Sequence, residues 1–313
     1  MIIYFDFNLC QIKFIKQQNE ADSFAVNFLM EKAEKKDFKG IIEDFCKQNN
    51  KFLNKLKNEN NFVVLPDQVV GFDSLQVPST KFGKNKYFDN KFNLLYNQNN
   101  DLIVDSHIMT KEKNTTTFCF AMIKKDIILQ VVETFKQYGI VIEGISYFSK
   151  VLSEYIFDNN KQLSKGNNIV VVYGKNILLL AISNSIIVGF QHIKQNNKQS
   201  FANKYAFFLK NTENVKSFAN KNFEKEIKSM KIEKKIIDFD LPKNEIYIEQ
   251  FEKYFKNSNI NLKFDKLCII NSKDKLAGLN EPNTVVIKNY SEEKALLKYK
   301  KSPFYFVKRS FWK

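Results

Sequence analysis

The stretch MIIYFDFNLCQIKFIK, residues 1–16, gives the clearest indication of the fold. It places two apolar runs, residues 2–7 and 11–16, on either side of a short turn that begins at Asn8. Runs of this length that are rich in β-branched and aromatic residues favour strands over helices. Because the first run contains an acid, Asp6, and no basic segment precedes it, we expect a strand here and not a secretion signal. The stretch therefore predicts a β-hairpin.

The same pattern recurs in the second half of the chain. Residues 23–30 add a third strand to the first hairpin, and a helix that begins at the N-cap Asp37 follows. After a polar linker at residues 158–168, a second three-stranded meander is predicted at residues 169–172, 177–183 and 186–193. Further elements follow it, namely helices at residues 201–209, 218–230 and 247–255 and a buried strand at residues 266–270. The repetition predicts two related α/β halves with a cleft between them.

A strand-rich block interrupts the first half. Strands are predicted at residues 62–65, 69–72, 75–77, 102–108 and 116–122, and residues 79–90 are predicted to form a surface loop or a poorly packed helix. Helical periodicity begins at Lys125 and ends before Gly139, and a strand at residues 140–145 and a helix at residues 147–157 come next. We therefore predict a first lobe of residues 1–60 and 125–165, an inserted α+β subdomain of residues 61–124, and a second lobe of residues 166–313.

Composition and charge narrow the classes of function. The 313 residues are 44 % hydrophobic and carry a formal net charge of +15, with eleven Lys against four acids between residues 194 and 235. This basic stretch predicts either a solvated helical surface or a contact with nucleic acid or anionic lipid. Four scattered Cys without a CxxC pair and only two His, His107 and His192, argue against zinc sites and for a reducing cytoplasmic compartment. Standard phosphate loops and catalytic histidine motifs are absent from the sequence.

The first hairpin resembles the first phosphate motif of the actin-like ATPases, and in particular that of the PilM family of pilus assembly proteins. Asp6 and Lys13 have the spacing of that motif, in which an Asp-x-Gly is followed by small residues and a Lys. Residues 62–78, with Pro66 and Pro78 each after an apolar residue, and residues 118–145 also follow the PilM order of elements. The resemblance implies an actin-like, duplicated ribonuclease H-like α/β fold with two lobes and an inserted subdomain.

The resemblance also implies a nucleotide site, from which this sequence departs. In such proteins hairpin turns of both lobes hold the phosphates of ATP, and acids coordinate Mg²⁺. Here Asn8 and Cys10 replace small residues of the first motif, and Gly174 of the second motif survives although Val172 stands where an acid is expected. Two polar residues, Asn271 and Ser272, stand in place of the adenosine-binding glycine pair. The remnant site predicted for ATP and Mg²⁺ therefore consists of Asp6, which would bind the metal, with Asn8, Cys10, Lys13, Gly174, Asn271 and Ser272.

The departures lead to a specific prediction of function. The PilM resemblance implies a cytoplasmic scaffold of a type IV pilus or related secretion machine that is peripheral at the inner membrane. Its partner would be an inner-membrane protein that offers a short cytoplasmic peptide, and self-association would be a further contact. Because one acid of two is missing, we expect negligible ATP hydrolysis and no efficient enzyme. Asp6 as a turn cap and Lys13 as a solvated strand residue are the plain structural alternatives.

Two other functions and one further surface stay open at the level of sequence. An active actin-like ATPase or phosphotransferase would require an acid such as Asp158 to enter the cleft in place of Val172. A nucleic-acid or membrane-surface binder would rely on the basic stretch. The end of the chain mixes aromatic residues and cations and predicts either a membrane or partner contact or a last strand on a sheet. The residues in question are Phe304, Tyr305, Phe306, Arg309 and Trp312.

Overall fold

A computed structural model describes residues 1–16, 23–79, 84–96, 101–173, 176–194, 266–271, 284–287, 290–301 and 307–308. The strands are β1 (Ile2–Asp6), β2 (Gln11–Ile15), β3 (Ser23–Asn27), β4 (Asn61–Leu65), β5 (Gly71–Pro78), β6 (Leu102–Lys111), β7 (Thr115–Lys124), β8 (Ile142–Tyr147), β9 (Asn167–Tyr173), β10 (Asn176–Ser183), β11 (Ile186–Lys194), β12 (Lys266–Asn271), β13 (Thr284–Ile287) and β14 (Val307–Lys308). The helices are α1 (Met30–Glu34), α2 (Phe38–Gln48), α3 (Asn50–Lys57), α4 (Lys84–Leu95), α5 (Lys125–Gln137), α6 (Phe148–Asn159) and α7 (Glu292–Lys301).

Two sheets share one strand order, which reproduces the repetition in the sequence. In sheet one the order is β3-β2-β1-β4-β8-β14, and in sheet two it is β11-β10-β9-β12-β13. In both, the first strand of an antiparallel meander lies inside the sheet, and the next two strands of that sheet join its other side in parallel. In sheet one, β14 then pairs antiparallel with β8. Parallel neighbours need a crossover connection, which helices provide between β1 and β4 and between β4 and β8.

The two faces of β1 pack into two different cores. Ile3 and Phe5 point to a core made with α2, α3 and α5, whereas Ile2 and Tyr4 point to a second core. This alternation is the period of two that a strand buried on both faces requires. The second core is completed by α6, α7 and apolar residues of sheet two such as Val170 and Leu180. Helices α6 and α7 are therefore packed at the junction of the two sheets.

A third sheet lies between β4 and α5 in the chain. Its order is β5-β7-β6, with antiparallel pairing throughout, and α4 packs on it. Of the loop and the poorly packed helix predicted at residues 79–90, the helix forms from Lys84 onwards. Its predicted poor packing was wrong, because α4 buries Phe88 and Phe92 against Phe118 and Phe120. The polar composition of α4 hid these two apolar residues, which are four positions apart on one helical face.

Several predicted boundaries also change. The strand predicted at residues 23–30 ends at Asn27, and α1 begins at Met30. The single helix predicted after Asp37 is two helices, because Asn49 leaves helical geometry with φ of −127° and its side chain donates to the carbonyl of Phe45. The N-cap itself is confirmed, since the Asp37 carboxylate accepts a hydrogen bond from the amide of Gly40 at 2.8 Å.

The turns around α5 and α6 show why other boundaries moved. Gly139 has a φ of +76°, which suits its predicted role at the end of α5, and β8 begins later than predicted, at Ile142. The polar linker at residues 158–168 is fixed at two buried residues, because Leu163 packs into the core and the Asn168 side chain donates to the carbonyls of Leu163 and Lys165. The helices predicted at residues 201–209, 218–230 and 247–255 lie outside the described residues. Within the described part of the chain, no helix has the length and apolar character needed to cross a bilayer.

Candidate functional site

Asp6 organises the turn of the first hairpin. Its side chain is buried, and its Oδ1 accepts hydrogen bonds from the backbone amides of Asn8 and Leu9, both at 3.1 Å. The turn continues through Cys10, whose φ of +51° is in the left-handed region, and the Cys10 thiol donates to the carbonyl of Phe7 at 3.7 Å. Asn8 also contacts the segment that follows β4, because its Oδ1 accepts from the Gln68 side chain at 3.0 Å. Asp6 is thus a turn cap as well as a buried charge.

The ammonium of Lys13 lies between two carboxylates. Its Nζ is 2.8 Å from Oδ2 of Asp6 and 2.9 Å from Oε2 of Glu292, in the first turn of α7. The same nitrogen lies 5.6 Å from the centroid of the Tyr4 ring. Lys13 is therefore a paired cation at the junction of the sheets and not the solvated strand residue of the alternative prediction.

The electrostatics of this cluster follow from its partial burial. Desolvation acts to lower the pKa of Lys13, but the Glu292 and Asp6 carboxylates outweigh it, and the pKa is raised above its ordinary value. Desolvation also raises the pKa of Glu292, and the Lys13 ammonium opposes that rise without cancelling it. Burial, followed by the charges of Glu292 and Asp6, raises the pKa of Tyr4 well above its ordinary range.

In this arrangement Asp6 does not fit a bound Mg²⁺. The two oxygens of Asp6 are already used, one by backbone amides and the other by Lys13, so that a metal would have to displace the ammonium. The amides of Asn8 and Leu9 would have to leave the same carboxylate before they could donate to a phosphate. Among the described residues, no three His, Cys, Asp or Glu side chains are grouped in a way that could hold a metal ion.

Of the remaining predicted nucleotide residues, Asn271 alone lies within the described part of the chain. Val172 is buried in the core between the sheets, and Asp158 is exposed near the end of α6. Asn271 is the last residue of β12, whereas Gly174 and Ser272 lie outside the described residues. At the end of the chain Val307 and Lys308 pair with β8 of sheet one. The predicted contact residues on either side of them also lie outside the described residues, namely Phe304, Tyr305, Phe306, Arg309 and Trp312.

A groove that the sequence did not predict lies between the third sheet, α6 and the β10–β11 turn. Its volume is about 590 Å³, which is in the usual range for a binding site. Apolar residues from β5, β7 and β11 form much of its lining, namely Phe72, Cys119, Phe120, Ala121, Ile186 and Ile187. The Cys119 thiol is buried and donates to the carbonyl of Ile187 at 3.5 Å, and burial raises its pKa. Such a thiol is a packing group and not a nucleophile.

One wall of the groove carries a fixed set of charges. Asp105 on β6 accepts from Nζ of Lys150 on α6 at 2.6 Å and lies 3.2 Å from Nε2 of His107. Desolvation would raise the pKa of Asp105, but its hydrogen bond with His107 and its contacts with Lys150 lower it to about 2. Ser153 and Glu154 on α6 extend this polar wall. The groove therefore combines an apolar lining with ionic groups whose positions are set by each other.

Sequence reasoning missed both Glu292 and the charged wall. A signal for α7 was present, because Ser291 precedes two acids and its Oγ accepts from the amide of Lys294 at 3.1 Å, as an N-cap does. Asp105 and His107 are two positions apart on one strand, and such residues share a face of the sheet. Their partner Lys150 is on a different element, and no local pattern links it to them.

The solved structures provide the comparison that bears on the fold. No protein-family model matches the sequence, and no curated protein matches it either. A chain of the PilM–PilN type IV pilus biogenesis complex is similar in structure, with a TM-score of 0.50 and 11 % identity over 93 % of this chain and 88 % of that chain. Together with the twofold strand order described above, this similarity decides the fold.

The chain has an actin-like α/β fold that resembles PilM.

Two further structures are similar at lower scores. The cytoplasmic domain of EpsL, an inner-membrane component of the type II secretion system of Vibrio cholerae, has a TM-score of 0.47 and 10 % identity over 99 % of this chain and 98 % of that chain. A Bacteroides thetaiotaomicron protein with an actin-like ATPase fold has a TM-score of 0.44 and 11 % identity over 95 % and 94 %. These scores are too low to assign a fold, so the assignment rests on the PilM–PilN structure and, at 11 % identity, concerns the fold alone.

Proposed function

We propose that the chain is an actin-like scaffold of a type IV pilus or related secretion machine. In this role it binds a short peptide from the cytoplasmic tail of an inner-membrane protein and so works on the cytoplasmic side of that membrane. The observation that carries the proposal is the 590 Å³ groove beside α6, on a fold similar to that of a chain in the PilM–PilN complex. Assembly through a peptide requires a groove of this kind and no catalytic group.

The groove suits a peptide with apolar side chains better than it suits a reacting substrate. Its lining gives apolar anchors a place to be buried, which is where most binding energy in such contacts arises. Within its charged wall, Asp105 is paired with both Lys150 and His107. A peptide backbone could hydrogen-bond along this wall.

Neither Mg²⁺ nor ATP has a role in the proposed activity. Asp6 and Lys13, the best preserved part of the phosphate motif, are joined to each other and to Glu292. Where the motif would supply a second acid, Val172 is part of a core. The proposed scaffold therefore binds its partner without a cycle of nucleotide hydrolysis.

A panel of tail peptides tests this proposal. Synthetic peptides from the cytoplasmic tails of the inner-membrane proteins of the type IV pilus and type II secretion machines of the same organism would be titrated into the full chain by calorimetry. We expect at least one of them to bind. The variant Ile186→Asp, which introduces a charge into the apolar lining, should abolish that binding.

The matched control is Val141→Asp, which makes the same kind of change at an apolar residue that is 41 % exposed and does not line the groove. It should leave the affinity for the peptide unchanged. Failure of every peptide to bind the folded wild-type chain would contradict the proposal. Equal binding by the wild type and Ile186→Asp would place the partner on another surface and would contradict the role of the groove.

A further inference from the structure

We propose that Lys13 is the resident cation of the junction between the sheets and that it holds Asp6, the residue that the resemblance assigned to a divalent metal. Its ammonium joins Asp6 of sheet one to Glu292 of α7, so that the chain holds this junction together by its own ion pairs. The proposal does not depend on the groove or on the partner proposed above.

The register of the first hairpin puts Lys13 in reach of Asp6. Tyr4 is paired directly with Lys13, and Asp6 is paired with Gln11. Side chains two apart on a strand share a face, so Tyr4, Asp6 and Lys13 all lie on the face of sheet one that the helices at the junction cover. This face is opposite to the one that Ile12 and Phe14 bury against α2 and α3.

The contacts of Lys13 are those of a structural cation. An ammonium has three donors, and two of them are within hydrogen-bond distance of carboxylate oxygens of Asp6 and Glu292. The Lys13 side chain is 13 % exposed, which is far less than the 42 % of Lys16, the next lysine along the chain. The ring of Tyr4 adds a cation–π contact on a further side.

Glu292 connects the cluster to the part of the chain that comes back from sheet two. It begins α7, which follows β13 and packs through Ala295, Leu296 and Tyr299 into the core that both sheets share. An ion pair between β2 and the first turn of α7 therefore fixes where the returning chain meets sheet one. Without Lys13, the carboxylates of Asp6 and Glu292 would be left close together with no cation between them.

Replacement of Lys13 gives a direct test, because it should turn the cluster into a metal site. Lys13→Met should lower the midpoint of thermal unfolding of the full chain by several degrees more than Lys16→Met, which removes a more exposed lysine whose Nζ is 3.8 Å from Glu59. Millimolar Mg²⁺ should raise the midpoint of Lys13→Met and leave those of the wild type and of Lys16→Met unchanged. The proposal is overturned if Mg²⁺ stabilises the wild type equally, or if it has no effect on Lys13→Met.

A second pair of variants keeps the test informative if Lys13→Met does not fold. Glu292→Gln and Glu293→Gln each remove one acid from the first turn of α7, and they have the same effect on the helix dipole. Of these two acids, Glu292 is the one that contacts Lys13, so Glu292→Gln should lower the unfolding midpoint clearly more than Glu293→Gln. Equal midpoints for the two variants would show that the ion pair does not stabilise the junction, and the proposal would be rejected.

Discussion

At the scale of single residues, the charged wall of the groove shows how a half-buried acid is stabilised. Asp105 is 25 % exposed, and such a carboxylate is stable as an anion only with partners. Lys150 and His107 supply them, and together they lower the pKa of Asp105 from 3.8 to about 2 despite its desolvation. A folded-state pKa below the unfolded value means that the anion stabilises the fold above pH 4 or so, and that this contribution is lost as the pH falls towards 2.

Asp105→Asn should therefore lower the free energy of unfolding at neutral pH by on the order of 2 kcal/mol. Because protonation already removes the charge of wild-type Asp105 in acid, the difference from wild type should shrink as the pH falls from about 4 to about 2. Urea unfolding at several pH values measures this directly. The control is Asp101→Asn, at an exposed acid just before β6, and a pH-independent difference for Asp105→Asn would contradict the pairing.

At the scale of elements, a buried carboxylate joins the turn after β4 to the start of α6. Asp67 accepts hydrogen bonds from the amide of Ser149 at 2.8 Å and from its hydroxyl at 2.6 Å. The carboxylate thus caps the first turn of α6 from a distant part of the chain, where the helix dipole also favours a negative charge. Helix α6 lies between the sheets and lines the groove, so this cap sets the position of α6 in the shared core and along the groove.

Asp67→Ala should be more destabilising than loss of an ordinary cap. It leaves two donors of Ser149 buried without an acceptor, so we expect a loss of about 3 kcal/mol in the free energy of unfolding. Asp37→Ala removes the half-buried cap of α2 and should cost about 1 kcal/mol. Denaturant unfolding of both variants tests the order, and an equal loss in the two would contradict the role given to Asp67.

Helix α4 supports a second prediction at this scale. Phe88 packs against the rings of Phe92 and Phe118, with centroids 5.8 and 4.6 Å apart, in the small core of the third sheet. Phe88→Ala should cost about 3–5 kcal/mol in unfolding free energy, because it leaves a cavity there. Leu94→Ala, at a residue of the same helix that is 70 % exposed, should change stability by less than about 0.5 kcal/mol. Similar losses for both would mean that α4 does not pack as described.

The sequence revealed the sheets better than it revealed the helices that join them. Strand runs such as residues 2–7 predicted the meanders because nearly every residue in them is apolar. Helix α4 was underestimated because only Phe88 and Phe92 mark its buried face among polar residues. The contact between Lys13 and Glu292 spans 279 positions of the chain, and no local periodicity reports an ion pair of that separation.

At the scale of the whole molecule, two sheets of the same strand order meet through α6 and α7. The core between them is continuous from β1 and β4, through these helices, to β9 and β10. The ion pairs of Lys13 and the cap at Asp67 lie at the edge of this core, and the groove opens beside α6. The duplication was predictable from the repeated pattern, whereas the groove arises only when the third sheet and the β10–β11 turn come together.

In the proposed function, this actin-like chain binds a membrane-protein tail without the help of nucleotide. The most direct measurement is the affinity of the wild-type chain for the best peptide of the tail panel, determined by calorimetry once in EDTA and once in millimolar Mg²⁺ and ATP. We expect binding in both solutions with the same dissociation constant. Binding that appears only with Mg²⁺ and ATP would contradict the proposed function, and so would the absence of binding in both solutions by a chain that is folded.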